Sequence, residues 1–279
     1  MSNKSINTKQ VQNYFSQITD FFVDVINENM DFVKNNTELS LLINKINTNI
    51  RAIGYLCSMC LFNESGIIFR SAFESVVLFE YIVEYPAKIE QYKKDNLISE
   101  FHQLYLGFIR SYLTEKELIE AYNKLYNEIG NIVPFEETTS YGIITYNTKK
   151  LEEYFRGDRN SFKPLSQQTN KLIDELKKNN SKHSKILYEL KMEFYNYYSQ
   201  ICHNKLSTLT TSMKNYKPQQ RLEELQSLFK NCFLLYQIIF DTLYDRFKIP
   251  RQAKFFSLLI EIANYLGLNF SNINLLYRD

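Results

Sequence analysis

Tryptophan is absent from the 279 residues, and glycine (7), proline (5), cysteine (4) and histidine (3) are all scarce. Each shortage excludes something. A sandwich or barrel needs a tight turn every few residues, so this little Gly and Pro argues for long helices instead. Seven scattered glycines cannot build a GxGxxG or Walker-type phosphate loop. GxSxG and HExxH are missing too, which removes the nucleophile-elbow hydrolases and the HExxH zinc proteases. There is no long apolar run: residues 75–83 and 232–240 are the most apolar windows, both too short to span a bilayer, and Glu80 interrupts the first. The opening Met-Ser-Asn-Lys-Ser-Ile-Asn has no apolar stretch behind a basic one, so no signal peptide and no membrane partner are expected, and the cytoplasm is the expected location.

Strong charge of either sign is also missing. Against 33 basic residues stand 31 acidic ones, a net charge of +2, so bulk electrostatics does not draw the chain onto nucleic acid. Lys149, Lys150, Arg156, Arg159 and Lys163 cluster locally, followed by Lys177, Lys178, Lys182 and Lys185, and read as a solvated face. What is abundant is Tyr and Phe, 21 of each, mostly core material. With plentiful Asn, Ile and Lys, this composition resembles that of proteins from AT-rich bacterial genomes.

Apolar spacing of three and four runs through Val11, Tyr14, Phe15, Ile18, Phe22, Val25 and Ile26, and again through Leu39, Leu42, Ile43, Ile46, Ile50 and Ile53. Thr37 is placed to cap the second helix, and Asn63-Glu64-Ser65-Gly66 reads as a helix–helix turn. Thr114 followed by Glu117 is a capping box. Helices are expected over 87–112, 114–129, 149–155, 164–178, 181–213, 218–247 and 252–266, with a short strand in 141–146. The fold class predicted is all-α: a multi-helix bundle of about eight to ten helices, one domain over 1–279, with an irregular insertion around 130–163.

Two stretches carry candidate chemistry. In Gly66-Ile-Ile-Phe-Arg70-Ser-Ala-Phe-Glu74, Arg70 and Glu74 are four apart on a helix that is apolar nearly all round, which predicts a buried ion pair. Such a pair can fix register or hold an anion-binding guanidinium. In Glu193-Phe-Tyr-Asn-Tyr-Tyr-Ser-Gln-Ile-Cys-His203-Asn204, Tyr195, Ser199 and His203 stack at i, i+4 and i+8, with Tyr198 and Asn204 beside them. His102 and His183 read as surface residues. Cys57-Ser-Met-Cys60 has no second ligand pair near it in sequence, so the cysteines read as free thiols, and neither a metal nor a cofactor is expected.

Arg70-Ser-Ala-Phe-Glu74, then Tyr81-Ile-Val-Glu-Tyr-Pro86, and much later Tyr195-x-x-x-Ser199-x-x-x-His203 resemble a widespread family of uncharacterised bacterial all-α proteins. That family is related in pattern to the HEPN-like proteins of abortive-infection and toxin–antitoxin systems. The resemblance spans roughly residues 50–213. It implies a helical bundle, often a homodimer, with a protein antitoxin as partner and, in active members, metal-independent cleavage of RNA. Their motif is Arg, four to six intervening residues, then His. Here Tyr198 stands five and Asn196 seven residues before His203, so the guanidinium would come from Arg70 on another helix. The resemblance thus implies His203, Arg70 and Glu74 as catalytic residues, with Tyr195, Ser199, Tyr198 and Asn204 binding. The other reading is a non-catalytic interaction or sensor protein, in which the same side chains form a structural polar network.

Overall fold

A computed structural model describes residues 8–138, 141, 143–156, 162–196, 198, 218–250 and 253–266. The protein is all-α: eleven α-helices and one two-stranded hairpin among the described residues. The chain divides into two compact units, one made of residues 1–84 and 173–279, the other of residues 85–172.

In the first unit, α1 (Thr8–Glu28), the short α2 (Met30–Asn35) and α3 (Thr37–Ser58) lead into α4 (Phe62–Glu84). The apolar stripe of α1 is buried at Val11, Phe15, Ile18, Phe22 and Val25, as its spacing predicts. α3 packs on both α1 and α4. Asn36, not Thr37, precedes the first turn of α3, and its side chain makes no cap bond. The predicted turn at residues 63–66 is helix instead: α4 already begins at Phe62, and the reversal is made by Met59–Leu61 with Cys60 at φ 60°.

α4 is buried along most of its length. Phe69, Phe73, Val76, Val77 and Phe79 are fully buried in it, and each large side chain so buried contributes roughly 1.5–3 kcal/mol. The return segment supplies α8 (Thr169–Lys178), which straddles the boundary between the units, then α9 (Ser184–Leu190), a π turn at Lys191–Tyr195, α10 (Pro218–Phe247) and α11 (Ala253–Leu266). α10 lies against α4 and α11 against α1. Rings close the core: Phe22 sits 4.8 Å from Tyr236, and Phe240 4.5 Å from Phe255. The buried phenol of Tyr236 donates to Asn47 Oδ1 at 2.5 Å, and Asn47 Nδ2 donates to the carbonyl of Thr19. This polar thread joins α10, α3 and α1 without leaving its members unpaired.

The second unit holds α5 (Lys88–Ile109), α6 (Glu115–Ile129), the antiparallel strands β1 (Glu136–Thr138) and β2 (Ile144–Tyr146), and α7 (Thr148–Phe155). The capping box forms as predicted, with Thr114 and Glu117 bonding reciprocally. Gly130 ends α6 at φ 74°, a conformation that favours glycine. Ile98, Phe101, Tyr105, Leu118, Tyr122, Phe135 and Leu151 form its core. The carboxylate of Asp95 accepts the Leu165 N–H at 2.8 Å and pins the chain that follows α7.

Among the described residues, no helix is long and apolar enough to cross a membrane.

Candidate functional site

One turn of α4 sets Arg70 Nε 3.0 Å from Glu74 Oε1. The same carboxylate oxygen accepts the phenol of Tyr195 at 3.0 Å, and the Arg70 guanidinium lies over the Tyr195 ring, 5.4 Å from its centroid. Tyr195 reaches this place from the π turn at Lys191–Tyr195. π turns widen a helix by one residue and are frequent at functional positions. One turn further, Tyr198 is buried beside Phe69, with ring centroids 6.2 Å apart, and Tyr195 lies 5.3 Å from Phe73. Two stretches 121 residues apart therefore meet on one face of α4.

The ion pair is half-buried, not buried as the apolar flanks predict: the Arg70 and Glu74 side chains are 24% and 27% exposed. The first half of α4 leaves one face uncovered, where Ile67 is also exposed. Coulomb attraction in such a place is worth no more than about 1 kcal/mol after solvent screening. Its consequence is geometric: Glu74 fixes the direction of a guanidinium whose planar fork suits phosphate or carboxylate. Ser199, His203 and Asn204 lie outside the described residues.

A second polar cluster was not legible as such. His183, expected at the surface, is only 4% exposed. Its Nδ1 donates to Glu80 Oε2 at 2.8 Å, and its Nε2 lies 3.7 Å from Asp241 Oδ2. The Thr242 hydroxyl donates to the other oxygen of Glu80. Burial alone would push the imidazole down, but the carboxylates of Asp241 and Glu80 outweigh it and hold it up to about 9. The imidazolium joins the N-terminal end of α9 to α4 and α10. It lies at the floor of a cleft of about 340 Å³ that Lys182, Glu84, Asp245 and Arg246 also line. Those rim charges are paired, Lys182 with Asp245 at 2.7 Å and Arg246 with Glu84 at 2.7 Å. Among the described residues, no group of three His, Cys, Asp or Glu side chains is arranged to hold a metal ion.

His102 is half-buried, stacked flat on Phe155 at 4.2 Å, and burial lowers its pKa. Cys57 is buried and donates to the Ser65 hydroxyl; burial pushes its thiol up to about 12 and that of Cys232 well above its ordinary 9.0. Thiolate is the reactive form. A thiol reagent added to the native protein is therefore expected to spare Cys57 and Cys232. Peptide mapping of the labelled sites checks this, and rapid native-state labelling of either residue would refute it.

Comparison with protein families, with characterised proteins and with solved structures finds no match for the chain.

Proposed function

We propose that the protein is a HEPN-like effector of phage defence that cleaves RNA without a metal, working in the bacterial cytoplasm as a homodimer held in check by a protein antitoxin. The observation that supports this reading is the junction of Tyr195, Glu74 and Arg70, in which Glu74 holds the guanidinium of α4 beside Tyr195. In this reading Arg70 meets the scissile phosphate and Glu74 orients it. His203 takes the proton from a ribose 2′-hydroxyl, whose oxygen attacks phosphorus. The 5′-oxygen leaves and is protonated, giving a 2′,3′-cyclic phosphate and a 5′-hydroxyl. Tyr195, Tyr198, Ser199 and Asn204 hold the phosphate or the imidazole.

The test is expression in a bacterial host with total RNA examined in parallel. The expected result is arrested growth and cut RNA with the wild type, and neither with His203→Ala at equal protein level. Toxicity that survives in the mutant would sink the assignment of His203, and intact RNA with the wild type would sink the nuclease itself.

The second reading, a non-catalytic interaction protein, is favoured by one detail. Glu74 is engaged by both Arg70 and Tyr195, as in a structural network. It predicts that Arg70→Ala and His203→Ala lower the melting temperature by several degrees and leave RNA untouched.

A further inference from the structure

We infer that Gly66 is a positioning residue for the Arg70–Glu74–Tyr195 site: the bare turn it leaves in α4 seats the Tyr198 ring, and that seat sets the register in which Tyr195 meets Glu74. Gly66 is a buried interior position of α4, where glycine is the poorer helix former. Its backbone needs no positive φ, since Gly130 is the only glycine with that conformation among the described residues. The reason for a glycine is therefore outside the helix. A Cβ built on Gly66 would lie 1.9 Å from Tyr198 Cε1, 2.0 Å from Cδ1 and 2.6 Å from Cζ. No Cβ survives such contacts, so the ring rests directly on the backbone of α4.

Tyr198 has little room to yield. It is 4% exposed and packed beside Phe69. Tyr195 and Tyr198 are three apart and point to the same side of their segment. Along α4 their partners are spaced to match, Gly66 and Phe69 for Tyr198, then Arg70, Phe73 and Glu74 for Tyr195. A methyl group at position 66 that lifts Tyr198 also draws the Tyr195 hydroxyl away from Glu74, and the Arg70 guanidinium loses the ring beneath it.

The consequence for RNA cleavage rests on the function proposed above, but the register does not, so the readouts are chosen to be independent of activity. Arg70 Nε–H, bonded to Glu74, is expected to give a distinct NMR signal, identified by its loss in R70K. G66A is expected to lower the melting temperature by ~5 °C or more and to abolish that signal. In G66A/Y198A, where no ring is left to displace, the same alanine is expected to cost little beyond Y198A alone, and the Arg70 signal returns. A glycine with no packing partner gives the opposite sign, because alanine then strengthens the helix. A raised melting temperature in G66A, an intact Arg70 signal, or an equal penalty in both backgrounds overturns the inference. If G66A alone does not fold, folding of G66A/Y198A sustains the inference and its failure overturns it. RNA cleavage is measured alongside; a wild type that leaves RNA intact removes the nuclease reading without touching the register.

Discussion

Glu80→Ala is expected to cost about 3–5 kcal/mol, because removing one member of a buried charged pair strands the other. That corresponds to a fall in melting temperature on the order of 10 °C. Glu80 accepts from both His183 and Thr242 and is 6% exposed, so its loss leaves a buried imidazolium and a buried hydroxyl without the carboxylate they share. The same tie has a pH signature. The His183 imidazole has an ordinary value of 6.5 and is held near 9 in the folded chain, so folding takes up a proton between those limits. Its stabilisation, about 3 kcal/mol, is complete below pH 6.5 and is lost as pH rises through 9. The charged groups that face it are Glu80 and Glu84 on α4, Asp241, Asp245 and Arg246 on α10, and the neighbouring Lys182. Chemical denaturation of the wild type and His183→Gln at pH 6 and pH 9.5 isolates the contribution of His183. The gap between the two proteins is expected to be wide at pH 6 and to narrow at pH 9.5. A gap that stays constant would show that the imidazole carries no charge in the fold.

Why this cluster escaped a reading of the chain is instructive. His183 follows Asn179-Asn180-Ser181-Lys182, a polar run that looks solvated, and its partners are far away, with Glu80 at a separation of 103. Local pattern cannot see such pairs. One signal was there: Glu80 stands in the middle of the apolar run 75–83, and a carboxylate on a buried helix needs a donor or a counter-charge. With three histidines in the chain, the candidates were few. The turn at residues 63–66 failed for a related reason. Glycine ordinarily punctuates, but Gly66 is set by a ring from a segment more than a hundred residues on. What local pattern did determine was helix existence and face. The stripe from Val11 to Ile26 is buried where it should be, and the Thr114–Glu117 box closes. The Arg70–Glu74 spacing was legible because a helix alone makes it a pair. Its third member, Tyr195, was singled out by its helical spacing to Ser199 and His203, but only packing joins it to Arg70 and Glu74.

If the protein cleaves RNA as proposed, Arg70→Ala is expected to reduce that cleavage by about 10²–10³-fold, the usual loss when one preorganised donor to a transition-state oxyanion is removed. Its cost in stability should stay within about 1 kcal/mol, since the pair with Glu74 is partly solvated and screened. That separation between activity and stability is the discriminating feature. An Arg that serves packing moves both together, whereas an Arg that serves phosphate moves only the first. Arg70→Lys sharpens the point. Lysine keeps the charge but has no planar fork to hold Glu74 and phosphate at once, so it should recover little of the lost cleavage. Tyr195→Phe keeps the ring beneath the guanidinium and removes the phenol that bonds Glu74, so it should fall between wild type and Arg70→Ala. Cleavage measured on purified protein, with melting temperatures on the same samples, checks the whole series. Full cleavage by Arg70→Ala would remove the guanidinium from the mechanism. Equal loss of cleavage and of folded protein would place Arg70, Glu74 and Tyr195 in the scaffold, which is the arrangement the interaction-protein reading requires.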